Sequence, residues 1–138
     1  MSFFLFTYGT LLSGQCRHEI LENEEFIQEY ALNGIKLYNY YDDSDKNGVQ
    51  NYPVSLKGTA SDVVLGEIYL CEDYLRQYLD QMEQVGTLYN VYSFPLKING
   101  VTEHILVYIG IDKTWSRCIG QPFLKRYPSN TIWKPTKN

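Results

Sequence analysis

Phe3 to Tyr8 form a short, nearly continuous apolar run that stops at Gly9. An apolar run of this length without polar alternation is the pattern of a fully buried strand. The chain has 138 residues, enough for one domain with its own core and no help from disulfides. Past the glycine the chain turns polar: the stretch from Phe6 to His18 reads FTYGTLLSGQCRH. Two readings of that break stand side by side. It is an ordinary turn from strand to helix, or it is a cradle whose backbone N–H groups face a ligand.

The rest of the chain alternates strand and turn signals. Cys16 to Asn23 forms a short helix with Ile20 and Leu21 inward, and Glu25 to Leu32 alternates weakly up to a break at Gly34. Ile35 to Tyr40 reads as a better strand, residues 42–51 as a loop, and Tyr52-Pro53-Val54 as renewed strand. Val63 to Cys71 is another strand, in which Gly66 marks a bulge or a close backbone approach. In EDYLRQYLDQMEQVG, Leu75, Tyr78, Leu79 and Met82 fall on one helical stripe, with Glu72 and Asp73 at its start and Gly86 as a stop. Leu88 to Ile98 and His104 to Ile109 then read as strands joined through Asn99-Gly100, a strong hairpin signal. One main helix among about six strands predicts an α+β fold around a small mixed, curved or barrel-like sheet. The expected division is a domain over residues 1–110 and a basic C-terminal tail, 111–138, packing on it.

Charge and cysteine usage narrow the partners. The net charge is −4, unevenly spread. Residues 111–138 carry six basic residues against Asp112, a net +5, and the remaining six basic and fifteen acidic residues give −9. An acidic body with no basic-aromatic module argues against nucleic acid as the partner. Cys16, Cys71 and Cys118 are odd in number and widely spaced, which fits reduced thiols in a cytoplasmic protein. The first residues lack the basic segment and cleavage site of a signal peptide, and no segment reaches the roughly 20 apolar residues of a membrane helix. Nothing in the sequence sets an oligomeric state.

Few residues carry a chemical signal by themselves. Glu83 falls in the last turn of the expected helix, at the border between its buried and exposed faces. A carboxylate there opposes the helix dipole by ~0.3–1 kcal/mol when exposed. Partial burial and that dipole would both raise its pKa, which is what a general base for an amine needs. The alternative is a solvated boundary residue. Asp43-Ser44-Asp45-Lys46-Asn47-Gly48 matches the first half of a calcium loop, yet Val54 stands where the bidentate acid belongs, so it reads as a solvated turn. His18 and His104 are too far apart in sequence to point to a metal pair, and no cysteine has an identifiable histidine partner.

Three ordered motifs carry a family resemblance: FTYGTLLSGQCRH, then LGEIYL over residues 65–70, then YLDQMEQVGTLY over residues 78–89. Together they resemble the gamma-glutamylcyclotransferase-like superfamily, in particular its gamma-glutamylamine cyclotransferase branch, whose tyrosine-proline segment Asn51-Tyr52-Pro53-Val54 also resembles. The resemblance implies an enzyme that cyclises a gamma-glutamyl amide to 5-oxoproline and releases the amine. It implies substrate-binding roles for Tyr8, Gly9, Thr10 and Leu11, and the catalytic general base and acid at Glu83. It implies a small-molecule gamma-glutamyl substrate, with no metal and no cofactor. The family commonly places an arginine where Val91 stands, which motivates an alternative: a non-catalytic protein of the same fold that binds a glutamate-like ligand.

Overall fold

Strand β1 (Ser2–Thr7) lies in the middle of the larger of two sheets. The computed structural model describes residues 2–9, 11–15, 17–41, 51–82, 89–110, 124–126 and 131–132. A short 3₁₀ helix (His18–Leu21) comes after β1, then β2 (Glu25–Asn33), β3 (Ile35–Tyr41), β4 (Asn51–Lys57) and β5 (Val63–Glu72). Helix α1 (Tyr74–Met82), the strands β6 (Tyr89–Ile98) and β7 (Val101–Gly110), and the short β8 (Leu124–Arg126) and β9 (Thr131–Ile132) complete the described elements. The larger sheet runs β2-β5-β1-β7-β6, with β9 paired to β5, and the smaller runs β4-β3-β8. Pairing is parallel for β1/β7 and β5/β9 and antiparallel elsewhere, so the fold is a mixed α+β one.

The apolar run of β1 has a direct explanation. Successive strand residues point to opposite faces, and both faces of this sheet are covered. Phe6 belongs to one apolar cluster with Ile68, Ile105 and Ile109, closed by Ile35 and Leu37 from the smaller sheet. Leu5 belongs to a second cluster with Tyr69, Cys71 and Tyr108, closed by Leu75 and Leu79 of α1 and by Leu21 of the 3₁₀ helix. Each such side chain taken from water stabilises the fold by about 1.5–3 kcal/mol.

Local expectations meet the structure with three adjustments. Tyr78 is 53% exposed and leaves the buried line of α1, in which Leu75 and Leu79, four apart, stay on one side; the Met82 side chain lies outside what the structure describes. Glu72 closes β5 rather than opening the helix, and Asp73 alone precedes Tyr74. The hairpin turns at Asn99 and Gly100, with φ of 51° and 82°, the left-handed pair that a two-residue turn of this kind requires. Its second strand begins at Val101, three residues before the expected start, because Val101, Thr102 and Glu103 pair with Ile98, Lys97 and Leu96 without being buried. That pairing leaves no hydrophobic pattern to read. The calcium-like residues Asp43, Asp45 and Asn47 lie outside the described residues. Among the described residues no helix is long and apolar enough to cross a membrane.

Gly66 marks a close approach, and the irregularity of the β2/β5 ladder falls at Phe26 and Gln28 instead. A Cβ on Gly66 would run into the Thr7 carbonyl and come within 2.6 Å of the Phe6 ring. Gly66→Ala is therefore expected to lower stability by about 1–3 kcal/mol through overpacking, read as a lower urea midpoint with an unchanged slope.

Candidate functional site

β1 ends at Thr7, and the chain then enters the loop that the sequence marks out. Tyr8 still faces the interior, 7% exposed, and its ring lies 6.4 Å from that of Phe6. Its hydroxyl donates to the Tyr108 carbonyl at 2.7 Å and sits 2.6 Å from the Ser55 hydroxyl. Ser55, fully buried on β4, lies 3.1 Å from the same carbonyl and accepts the Gly110 N–H at 3.4 Å. Two hydroxyl protons thus serve three close contacts where the two sheets meet. A Cβ on Gly110 would strike the Ser55 carbonyl, so the glycine permits this approach of β4 to β7.

Beyond Tyr8 the loop turns on its own carbonyls. The Leu12 N–H donates to the Gly9 carbonyl at 3.0 Å, and His18 Nδ1 lies 2.9 Å from the Leu11 carbonyl. A carbonyl oxygen only accepts, so Nδ1 of His18 carries a proton. Gly9 and Leu11 are buried, and among the described residues their N–H groups have no acceptor. Backbone N–H groups in a loop at a strand end can receive an anionic acceptor. Both carbonyls are thus engaged within the loop and by His18.

The LGEIYL segment lies beside this loop. Glu67 pairs across the ladder with Thr7, the last residue of β1, and its side chain reaches past the strand end. Its Oε1 accepts the Ser13 N–H at 2.8 Å and the Tyr69 hydroxyl at 3.2 Å. The Ser13 hydroxyl lies 3.1 Å from the Tyr69 hydroxyl, which closes the triangle. Burial pushes the Tyr69 phenol above its ordinary value, the Ser13 hydrogen bond opposes that, and the Glu67 charge adds to it, so the phenol keeps its proton. Neither Glu67 nor Tyr69 has a role legible from sequence. Their spacing of two on a strand, which puts both on one face, is the signal that could have singled them out.

On the helix side, Asp80 accepts the Tyr108 hydroxyl at 2.6 Å and pairs with Arg76 at 3.1 Å. Tyr108 therefore touches Tyr8 through its carbonyl and α1 through its phenol. Asp80 is the aspartate of the LDQME segment. Glu83 lies outside the described residues, as do Thr10, Cys16 and Cys118. Val91, where the family commonly has arginine, is partly buried and packs against the α1-side cluster. Cys71 is fully buried, and burial first, then the Glu24 charge, push its thiol from the ordinary 9.0 to about 12, so it packs as an apolar residue. His104 is exposed on β7. Among the described residues no group of three or more His, Cys, Asp and Glu side chains is arranged to hold a metal.

With that geometry in view, the chain can be set beside known proteins. The family model described as gamma-glutamyl cyclotransferase, AIG2-like, matches residues 5–123. A solved structure of an uncharacterized protein from Pyrococcus horikoshii aligns with a TM-score of 0.65 at 21% identity, covering 91% of this chain and 86% of that one. An AIG2-like protein from Mus musculus gives 0.58 at 18% identity, over 99% of this chain and 98% of that one. A gamma-glutamyl cyclotransferase structure gives 0.60 at 18% identity, over 80% and 68%. At these identities the structural likeness is one of fold. No curated protein sequence matches the chain.

Two measurements check the buried polar groups. Ser55→Ala removes the acceptor of the Gly110 N–H and one partner of Tyr8, with an expected cost of about 1–3 kcal/mol in urea unfolding. From pH 9 upward the unfolded chain loses the Cys71 proton, whereas the folded chain holds it until about pH 12. Stability then falls as pH rises through that window, and Cys71→Ala should flatten this part of the profile.

Proposed function

This chain belongs to the AIG2-like gamma-glutamyl cyclotransferase family, and from that premise we propose that it converts a gamma-glutamyl amide to 5-oxoproline with release of the amine. The partner is a small gamma-glutamyl molecule. One observation carries this reading: the loop after β1 has the Gly9 and Leu11 carbonyls committed and their buried N–H groups without acceptors among the described residues. A glutamyl head carries an α-carboxylate, and cyclisation develops negative charge on the γ-carbonyl oxygen. Fixed backbone donors suit either group, because they need no reorganisation during the reaction.

The proton chemistry falls to Glu83. The substrate α-ammonium cannot attack until it loses a proton, which Glu83 accepts. The freed amine then adds to the γ-carbonyl carbon, closing the five-membered ring. As the amide C–N bond breaks, Glu83 returns a proton to the leaving nitrogen; the ring nitrogen gives up its second proton by the same route to the released amine, which departs as its ammonium with the carboxylate restored. Ring closure is intramolecular, so much of the acceleration comes from holding the chain folded back on itself. These steps are one acyl transfer and the passage of two protons from the attacking to the leaving nitrogen, which a carboxylate and a donor loop can serve.

Val91 favours a second reading, in which the protein binds a glutamate-like ligand without turnover. An apolar side chain packed toward the α1-side cluster supplies no charge where the family commonly places an arginine. Purified protein assayed against a panel of gamma-glutamyl amines decides between them. The enzyme reading expects 5-oxoproline release, reduced by about 10²–10⁴-fold in Glu83→Gln. Release that survives Glu83→Gln unchanged removes the mechanism, and calorimetric binding of L-glutamate without any turnover supports the second reading.

A further inference from the structure

The Gly66-Glu67-Ile68-Tyr69 segment has no part in the proton chemistry above, yet it holds the loop on which that chemistry depends. β1 and β5 are in register with Thr7 opposite Glu67, at the end of β1. The Glu67 side chain reaches from that pair into the loop. Two donors from different elements converge on its Oε1, the Ser13 N–H from the loop at 2.8 Å and the Tyr69 hydroxyl from β5 at 3.2 Å. Tyr69 is itself fixed, 3% exposed, with its ring 5.8 Å from that of His18 and 5.6 Å from that of Phe26. His18 in turn holds the Leu11 carbonyl. The loop is thus pinned at Leu11 through a histidine and at Ser13 through a carboxylate, and both pins rest on one tyrosine.

We propose that Glu67 is a positioning residue, whose carboxylate oxygen captures the Ser13 N–H and so keeps the Gly9 and Leu11 donors aimed at the substrate. The role requires an acceptor atom at a fixed reach from β5, and it does not require the negative charge. This inference rests on the reading of the Gly9–Leu11 loop as a receptor for the glutamyl head.

Reach and charge are separated by two conservative variants. Glu67→Gln keeps the chain length and an amide oxygen that can accept both donors. Glu67→Asp keeps the charge and withdraws the oxygen by one methylene. The expected result is that Glu67→Gln stays within about threefold of the wild type in kcat/KM, since a neutral acceptor is weaker but present. Glu67→Asp should lose about tenfold or more in kcat/KM and bind L-glutamate correspondingly more weakly, as expected when a hydrogen bond to a charged acceptor is broken. Amide exchange at Ser13 gives a readout independent of turnover: slow in the wild type and Glu67→Gln, and faster in Glu67→Asp. Equal losses in both variants would show that charge matters and overturn the proposal, as would a Glu67→Asp protein with wild-type activity and slow Ser13 exchange. If the wild type neither turns over a gamma-glutamyl amine nor binds L-glutamate, the receptor reading fails and takes this inference with it. If Glu83→Gln abolishes turnover while the Glu67 pair shows no difference, only the inference about Glu67 falls.

Discussion

No face of β1 is left to water, and the remaining elements are arranged around that constraint. A strand with β5 on one side and β7 on the other still has two faces to cover. The protein covers one with the smaller sheet, through Ile35 and Leu37, and the other with α1 and the 3₁₀ helix, through Leu79 and Leu21. A central strand covered in this way ends inside the molecule. The loop that continues it begins in a buried setting, where backbone groups must be paired or offered to a ligand. The position of the candidate site is therefore a consequence of where the core lies.

The polar knot of Tyr8, Ser55 and Tyr108 gives the layers a defined registration. Apolar surfaces slide over one another at little cost, whereas buried hydroxyls with specific partners do not. Tyr108 makes this registration reach further. Its carbonyl belongs to the knot and its phenol holds Asp80, so the loop after β1 and helix α1 are referred to one residue of β7.

Legibility in the sequence depends on whether a feature is local. The burial of β1 is written in its own six residues, and the hairpin in Asn99-Gly100, because only short-range sterics and burial are involved. The extension of β7 to Val101 is not legible, since exposed residues join a ladder through turn geometry without changing their chemistry. The YGTL loop stands out by resemblance, whereas the engagement of its Gly9 and Leu11 carbonyls depends on Leu12 and His18. Ser55 carries no local signal at all: a serine between Val54 and Leu56 acquires its meaning from Tyr8 and Gly110, both distant in sequence. Glu67 stands in plain view within LGEIYL, but its reach to Ser13 depends on the β1/β5 register, which no single segment encodes.

The placement of β9 bears on how the molecule is made. β2 lines one edge of β5 along its length, while β1 occupies the other only from Glu67 onward. Val64 and Leu65, just before that point, are paired by Thr131 and Ile132. The partner of Phe4 in β7 is likewise Ile105, about a hundred residues later. A chain emerging from the ribosome therefore has its N-terminal strand and the β5 edge ready long before their neighbours exist. Sequence-distant, partly parallel pairing of this kind folds slowly, and an unpaired edge held open meanwhile invites association with other chains. Among the described residues Thr131 and Ile132 thus act as a closing stitch, covering a stretch of β5 edge that β1 leaves open.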